Sequence, residues 1–236
     1  NAVNDSLTNG LNNYLTQANN DQKVRAIIIT GSGRGFCSGA DMTYLTQKNT
    51  AEQKKDYIIK TYQSLLNKFL TINKPIIGAI NGSAAGVGAS LALACDFRVM
   101  GNNSSIYFAF INIGLGPDGG GSWLLSRLVG YSKALEIAIS GKKVMGSECY
   151  NLGLTNKLVE DDMVLEEAIS WAKKLSKMPT LTIGITKEDM LFSEKNSLHD
   201  TISYEAEKQV IAFNSDDHKE GLTAFTEKRS PNFKGK

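Results

Sequence analysis

Two stretches of small residues and one loop aspartate are the parts of this chain best suited to chemistry. Gly31-Ser32-Gly33-Arg34-Gly35-Phe36-Cys37-Ser38-Gly39-Ala40-Asp41 and Ala84-Ala85-Gly86-Val87-Gly88-Ala89 each follow an apolar run of strand length. Small residues at a strand end leave backbone N–H groups uncovered, so that negative charge can approach them closely. Tight helix–strand packing would use the same residues with no ligand, and the glycines alone leave both readings open. The G-x-G-x-G over Gly31, Gly33 and Gly35 is not a dinucleotide fingerprint, because its third glycine comes one residue early and no periodic helix opens there. The Gly-Lys-Ser/Thr ending of a phosphate loop is also absent. The aspartate is Asp118, in Gly116-Pro117-Asp118-Gly119-Gly120. A carboxylate can take a proton and return it, but Pro-Asp-Gly is also an ordinary turn. The two roles are compatible, since a loop over an apolar pocket raises an acid's pKa toward neutrality.

The elements that must position these groups follow from periodicity. Residues 24–30 and 75–80 are apolar runs of strand length, and Asn81-Gly82 ends the second with a turn. Between them Thr50 and Gln53 have capping-box spacing, and Ile58, Ile59, Tyr62, Leu65, Leu66, Phe69 and Leu70 form a helical stripe. Strand, loop, helix and strand in that order predict a parallel, buried sheet. An earlier helix is predicted over 6–18, with Leu7, Leu11, Tyr14 and Leu15 on one face. Residues 90–95 are a wholly apolar helix that must be buried, 97–100 a further strand, and 102–105 a turn. Past about Ile113 the alternation stops. Helices are then expected over 122–128, 132–140, 147–152, 165–177, 181–192 and 198–213, with a last strand over 155–159. Trp123, Leu135, Ile139, Ala168, Trp171 and Leu175 exceed what an exposed bundle needs, so some should cover the sheet and others meet another subunit.

With 236 residues, 42% of them hydrophobic, the chain can bury one large core or a core with an appended helical piece. Its net charge of +2 and scattered basic residues argue against a nucleic-acid footprint. No run reaches membrane-spanning length and no signal or transit segment is visible. Cys37, Cys95 and Cys149 are odd in number and lie in apolar stretches, which fits reduced thiols in a cytoplasmic setting and implies neither a disulfide framework nor a metal site. Cys37 has no histidine placed to activate it and is read as packing. His199 and His218 are read as solvated, Glu136 and Glu148 as helix-surface charges, with Glu136 a candidate to face a pocket. Asp217 and Glu220 have capping spacing.

GRGFCSGADM, KPIIGAINGSAAGVGASLALACD, GLGPDGGGSWLLSRLVG and AISGKKVMGSECYNLGLTNKLV resemble, in order and spacing, the enoyl-CoA hydratase/isomerase (crotonase) superfamily over nearly the whole chain. The PD-x-GG-S-W run and the closing EGLTAFTEKRSPNFKGK look most like its ring-epoxide isomerase branch, which serves phenylacetate catabolism. Asn1-Ala2-Val3-Asn4 resembles the turn after that family's N-terminal β-hairpin, so the chain is expected to start late. The resemblance implies an α/β crotonase-like spiral of ββα units over 1–121 and a mainly helical region over 122–236 that completes the acyl pocket and forms a trimer or a dimer of trimers.

The chemistry it implies is formation of an enolate from an acyl-CoA thioester, with no cofactor and no metal. By motif position the N–H groups of Ala40 and Val87 would form the oxyanion hole, with Val87 standing where the family commonly has glycine. Ser38, Ala40, Asp41 and Met42 would receive the CoA. The two glutamates of the family's hydratases correspond to Ser90 and Phe110, neither of which can act as a carboxylate base. Asp118 sits where the isomerase branch carries its acid, and Ser90 and Asn112 are candidates to position substrate or water. The Arg229–Lys234 tail is either solvated or in contact with CoA phosphates. Three functions follow: an isomerase shifting a double bond in a fatty enoyl-CoA or rearranging an aromatic ring epoxide; an enoyl-CoA hydratase of fatty-acid β-oxidation; or a silent acyl-CoA-binding scaffold.

Overall fold

A computed structural model of the chain describes residues 1–47 and 50–236. It opens with α1 (Asp5–Asn20), capped by the Asn4 side chain, which accepts from the Leu7 N–H at 3.1 Å. Leu7, Leu11 and Leu15 turn to the core as predicted. Tyr14 does not; it lies on the flank of that stripe and is 71% exposed. The first strand, β1 (Ile27–Thr30), starts later than the apolar run suggests, and the small-residue loop after it leads to a short helix, α2 (Met42–Thr46). The next helix, α3 (Ala51–Tyr57), carries the predicted reciprocal capping box of Thr50 and Gln53. It continues through a π-helical stretch (Ile58–Gln63) into α4 (Ser64–Thr71). A wider turn is invisible to a 3.6-residue stripe: Tyr62, Leu65, Leu66 and Phe69 are buried, whereas Ile59 is exposed.

The strand β2 (Ile76–Ile80) is buried throughout, and the very short β3 (Ser83–Ala85) hands over to α5 (Val87–Ala94), all of whose residues are buried. Two strands follow, β4 (Phe97–Gly101) and β5 (Ser105–Tyr107), then a 3₁₀ turn (Ala109–Ile113). The rest is α6 (Gly121–Val129), α7 (Tyr131–Ser140), β6 (Lys143–Met145), α8 (Gly146–Asn151), β7 (Lys157–Val159), α9 (Val164–Leu175), α10 (Thr180–Ser193), α11 (Leu198–Phe213) and α12 (Asp216–Glu227).

Four strands form a parallel sheet in the order β1-β2-β4-β7, with Ile77 opposite both Ile28 and Phe97. A smaller sheet, β3-β5-β6, pairs its first two strands parallel and its last two antiparallel. Alternation along β2 divides the interior: Ile76 and Ile80 join the main core, while Ile77 and Ala79 face a second cluster with Val99, Val164, Ala168 and Leu175 of α9. Ala168, Trp171 and Leu175 thus cover the sheet, while Leu135 and Ile139 on α7 stay exposed, as do Val210, Phe213, Leu222 and Phe225 on α11 and α12.

One buried and one partly buried charge brace the helices around this core. The Arg98 guanidinium is 3% exposed and donates to the carbonyls of Leu93, Cys95 and Leu154, capping the C-terminal end of α5. Asp96 accepts from the Ile76 N–H and from Lys187 Nζ, both at 2.7 Å, and so ties α10 to the sheet. The C-terminal tail is solvated, as one of the two readings expects, but tethered: Asp217, 2% exposed, accepts from the N–H groups of Lys234 and Gly235, and Arg229 pairs with Glu220 and Glu227. Among the described residues no helix is long and apolar enough to cross a membrane.

Candidate active site

The two small-residue loops are zipped together by backbone hydrogen bonds. Ser83 O accepts from the N–H groups of Phe36 and Cys37 at 3.1 and 3.2 Å, and Cys37 O accepts from Ala85 N–H at 2.9 Å. On the other side Val3 N–H donates to Gly39 O at 2.7 Å and Asp41 N–H donates to Val3 O at 2.9 Å. A Cβ at Gly39 would lie 2.8 Å from Ala85 O, so only glycine allows this approach. Gly86, at φ 54°, then turns the chain from β3 into α5. The consequence is that the Ala40 N–H, between two paired neighbours, and the Val87 N–H, at the first position of α5, have no acceptor among the described residues. Val87 also stands at the positive end of the helix dipole.

Asp118 is fixed by its own backbone in a loop that packs on Val87. Its carbonyl accepts from Ser90 Oγ and from the Gly121 N–H, each at 2.9 Å. Gly119 lies so close to Val87 that a Cβ there would be 2.7 Å from Val87 Cγ2. A turn is present, but it starts at Asp118 and is made by Gly119 and Gly120, both at positive φ, rather than by Pro-Asp-Gly. Asp118 Oδ1 is buried with no hydrogen-bond partner among the described residues. Burial pushes the carboxyl up from 3.8 to about 6. A carboxylate poised near neutrality, with a lone pair unspent, suits proton transfer.

Beside the Asp118 loop lies a cleft of about 330 Å³, walled by Ile58, Leu66, Leu70, Trp123 and Leu124, with Tyr62 and the backbone of Gly119 and Gly120 completing it. Its mainly apolar wall suits a hydrocarbon or aromatic group. A larger cleft of about 680 Å³ is lined by Asp5, Asn9, Asn12, Gln53, Asp56 and Lys60 and includes neither the glycine loops nor Asp118.

The other predicted residues divide. Ser38 and Met42 lie exposed at the rim of the first loop. Asp41 is occupied in capping α2, accepting from Thr43 N–H at 3.1 Å and Thr43 Oγ1 at 2.6 Å, and it also accepts from Asn4 Nδ2. Ser90 is fully buried and spends its hydroxyl on the Asp118 loop. The Asn112 amide donates to Tyr107 OH and Gly141 O at 2.9 and 3.0 Å, bracing the end of α7 rather than joining Asp118. Phe110 is buried beside Gly86 and Phe108. Glu136 does not face a pocket; it pairs with Lys133 on the surface. His199 is exposed as expected, while His218 is half-buried with its ring edge-on to Phe213. The three cysteines are free and buried, and burial pushes the Cys37 thiol up. Among the described residues no group of three or more His, Cys, Asp or Glu gathers where it could hold a metal.

Sequence reasoning read Tyr62 only as one member of a helical stripe and did not single out the contact between Gly119 and Val87. The π-helical turn that carries Tyr62 passes for an ordinary helix in that stripe, and close approach of two loops far apart in sequence is legible only as a surplus of small residues.

Residues 1–236 match the family model for enoyl-CoA hydratase/isomerase. The chain is 34% identical over 238 residues to the 1,2-epoxyphenylacetyl-CoA isomerase of Escherichia coli K12, covering all of this chain and 91% of that protein. It is 33% identical to the 2,3-dehydroadipyl-CoA hydratase of the same organism, again over all of this chain and 91% of the relative. The crystal structure of an enoyl-CoA hydratase from Bacillus anthracis superposes with a TM-score of 0.93 at 30% identity, covering all of this chain and 91% of that one. With the paired loops and the inward aspartate already in place, these likenesses identify the chain as a member of the enoyl-CoA hydratase/isomerase family.

Proposed function

We propose that this chain is an acyl-CoA isomerase that shifts a double bond through a thioester enolate, with Asp118 as the base. The observation that carries the reading is the Asp118 carboxyl, whose Oδ1 is buried and unbonded in a loop that packs on Val87 through Gly119. The thioester oxygen accepts from Ala40 and Val87 N–H, which need no reorientation as charge develops; one such donor is worth about 3 kcal/mol. Asp118 takes a proton from one carbon and returns it two carbons away, which needs one carboxylate only. The CoA lies along Ser38, Ala40, Asp41 and Met42, and the acyl group enters the cleft beside Gly119. The reaction draws on no metal or redox group. The exposed apolar side chains of α7, α11 and α12 support assembly of copies into a trimer.

A hydratase reading has its own support, because the 2,3-dehydroadipyl-CoA hydratase is nearly as similar as the isomerase. Against it, the positions of the two hydratase glutamates hold Ser90 and Phe110, one tied to a backbone carbonyl and the other apolar. The test is turnover of a 3-enoyl-CoA and of a ring-epoxide CoA ester in water labelled with deuterium and with heavy oxygen, wild type beside Asp118→Asn. Deuterium incorporation and double-bond movement lost in the variant support the isomerase. Labelled oxygen from water appearing in the product supports the hydratase, and CoA binding with no turnover of any enoyl-CoA supports a silent scaffold.

A further inference from the structure

Two buried polar atoms in one neighbourhood lack partners. Tyr62 is 1% exposed, and its hydroxyl has no hydrogen-bond partner among the described residues; the same is true of Asp118 Oδ1. Leu66, one turn after Tyr62, reaches Gly119, its Cδ1 lying 3.3 Å from where a Cβ would be. Tyr62 itself walls the cleft with Gly119 and Gly120. The phenol stays protonated, since burial first and then the charges of Asp118, Tyr57 and Cys37 hold it well above its ordinary range. It is therefore a permanent donor. Its ring is fixed edge-on to Tyr57, with centroids 5.7 Å apart. It also sits in the π-helical stretch Ile58–Gln63, a geometry common at functional sites.

An enclosed hydroxyl without an acceptor is costly, and a plain hydrocarbon in the cleft leaves it so. An acyl group that brings its own oxygen to this wall removes the deficit. We propose that Tyr62 is a specificity-determining hydrogen-bond donor, which selects acyl-CoA thioesters bearing a hydroxyl, ketone or ether oxygen in the acyl group beyond the thioester carbonyl. This rests on the reading that the cleft receives the acyl part of a CoA thioester, and it adds which acyl groups the cleft prefers. A site built to hydrogen-bond a substrate oxygen discriminates against analogues that lack it.

The test measures binding rather than turnover. Calorimetric titration compares 2-hydroxyphenylacetyl-CoA with phenylacetyl-CoA, and 4-oxohexanoyl-CoA with hexanoyl-CoA, on wild type and on Tyr62→Phe. The wild type is expected to favour the oxygenated member of at least one pair by about 5- to 10-fold, and the variant to bring that ratio within about twofold. No preference in either pair overturns the proposal, as does a variant that weakens both members of each pair equally, which is the mark of a packing role. Thermal melting of the ligand-free proteins guards against misfolding. Removing an orphaned hydroxyl leaves Tm level or higher, whereas a fall of several degrees reveals a protein partner and also overturns the proposal. If no enoyl-CoA is isomerised, the isomerase reading fails while the Tyr62-dependent binding preference stands or falls on its own.

Discussion

Replacing Asp118 by asparagine should cost activity and add stability, and the second effect depends on pH in a way that tests the first. Burial raises the Asp118 carboxyl from 3.8 to about 6. At about 1.4 kcal/mol per pH unit, the ionised form is disfavoured in the folded protein by about 3 kcal/mol. The folded state therefore holds this proton more tightly than the unfolded chain does between pH 3.8 and about 6. Its contribution to stability falls as pH rises through that window, and above about 6 the whole penalty is present. Asparagine does not ionise. At pH 8 Asp118→Asn should accordingly melt about 6–12 °C above wild type, at about 2–4 °C per kcal/mol for a chain of this size, and near pH 4 the two should converge. Turnover at pH 8 should fall by about 100- to 10,000-fold, and wild-type kcat/KM should rise with pH through about 6, as a base that must be ionised requires. Scanning calorimetry at pH 4 and 8, with rates on the same preparations, decides the matter. A variant that melts below wild type at pH 8, or whose advantage is equal at both pH values, would refute the claim that burial holds this carboxyl poised.

Three further substitutions probe the frame around it. Val87→Pro removes one proposed oxyanion donor at the first position of α5, where proline is tolerated; kcat should fall about 100- to 1,000-fold while circular dichroism stays that of the wild type. Gly119→Ala places a Cβ 2.7 Å from Val87 Cγ2 at φ 55°, which should cost about 1–3 kcal/mol in urea unfolding and lower kcat by displacing the Asp118 loop. Lys187→Met strips Asp96 of its cation, a pair whose side chains are 13% and 19% exposed, and should destabilise by about 3–5 kcal/mol, with part recovered in Asp96→Asn/Lys187→Met.

Much of the frame was legible in the sequence because its signals are local and strong. The Thr50–Gln53 capping box, the all-apolar residues of β2 and the wholly buried α5 each follow from a few neighbouring side chains. The three-residue strands β3, β5 and β6 were not, since three residues are too few for alternation to show, and Ser83-Ala84-Ala85 has no β-branched member. The capping spacing read at Asp217 and Glu220 misplaces the start of α12, which Ser215 caps, and the tail's dependence on Asp217 was not legible at all, because a buried carboxylate that holds backbone N–H groups 17 and 18 residues away looks like a surface charge in sequence. Asp118 was legible as a turn and, through the resemblance, as an acid. Burial of Oδ1 is a property of the assembled loops, and no local pattern encodes it.

How polar groups are partnered separates frame from site. In the frame, buried and partly buried charges are well supplied: Arg98 donates to three carbonyls, Asp96 accepts from an amide and a lysine, and Asp217 accepts from two amides. In the paired loops, the Asp118 turn and the cleft wall, the Ala40 and Val87 N–H groups, Asp118 Oδ1 and the Tyr62 hydroxyl lack partners among the described residues. Ser90 Oγ and Gly121 N–H, which could have relieved Asp118, bond its carbonyl and leave the carboxyl oxygen alone. A fold that can satisfy Arg98 in its interior has the means to satisfy these groups. Their deficit is borne in two rigid loops and one turn, so a ligand of the proposed kind, with a carbonyl oxygen and an acidic C–H, would gain there what the protein alone forgoes. On the proposed function that gain would be largest for the charged form of the carbonyl, which is how fixed donors and a poised base turn binding into rate.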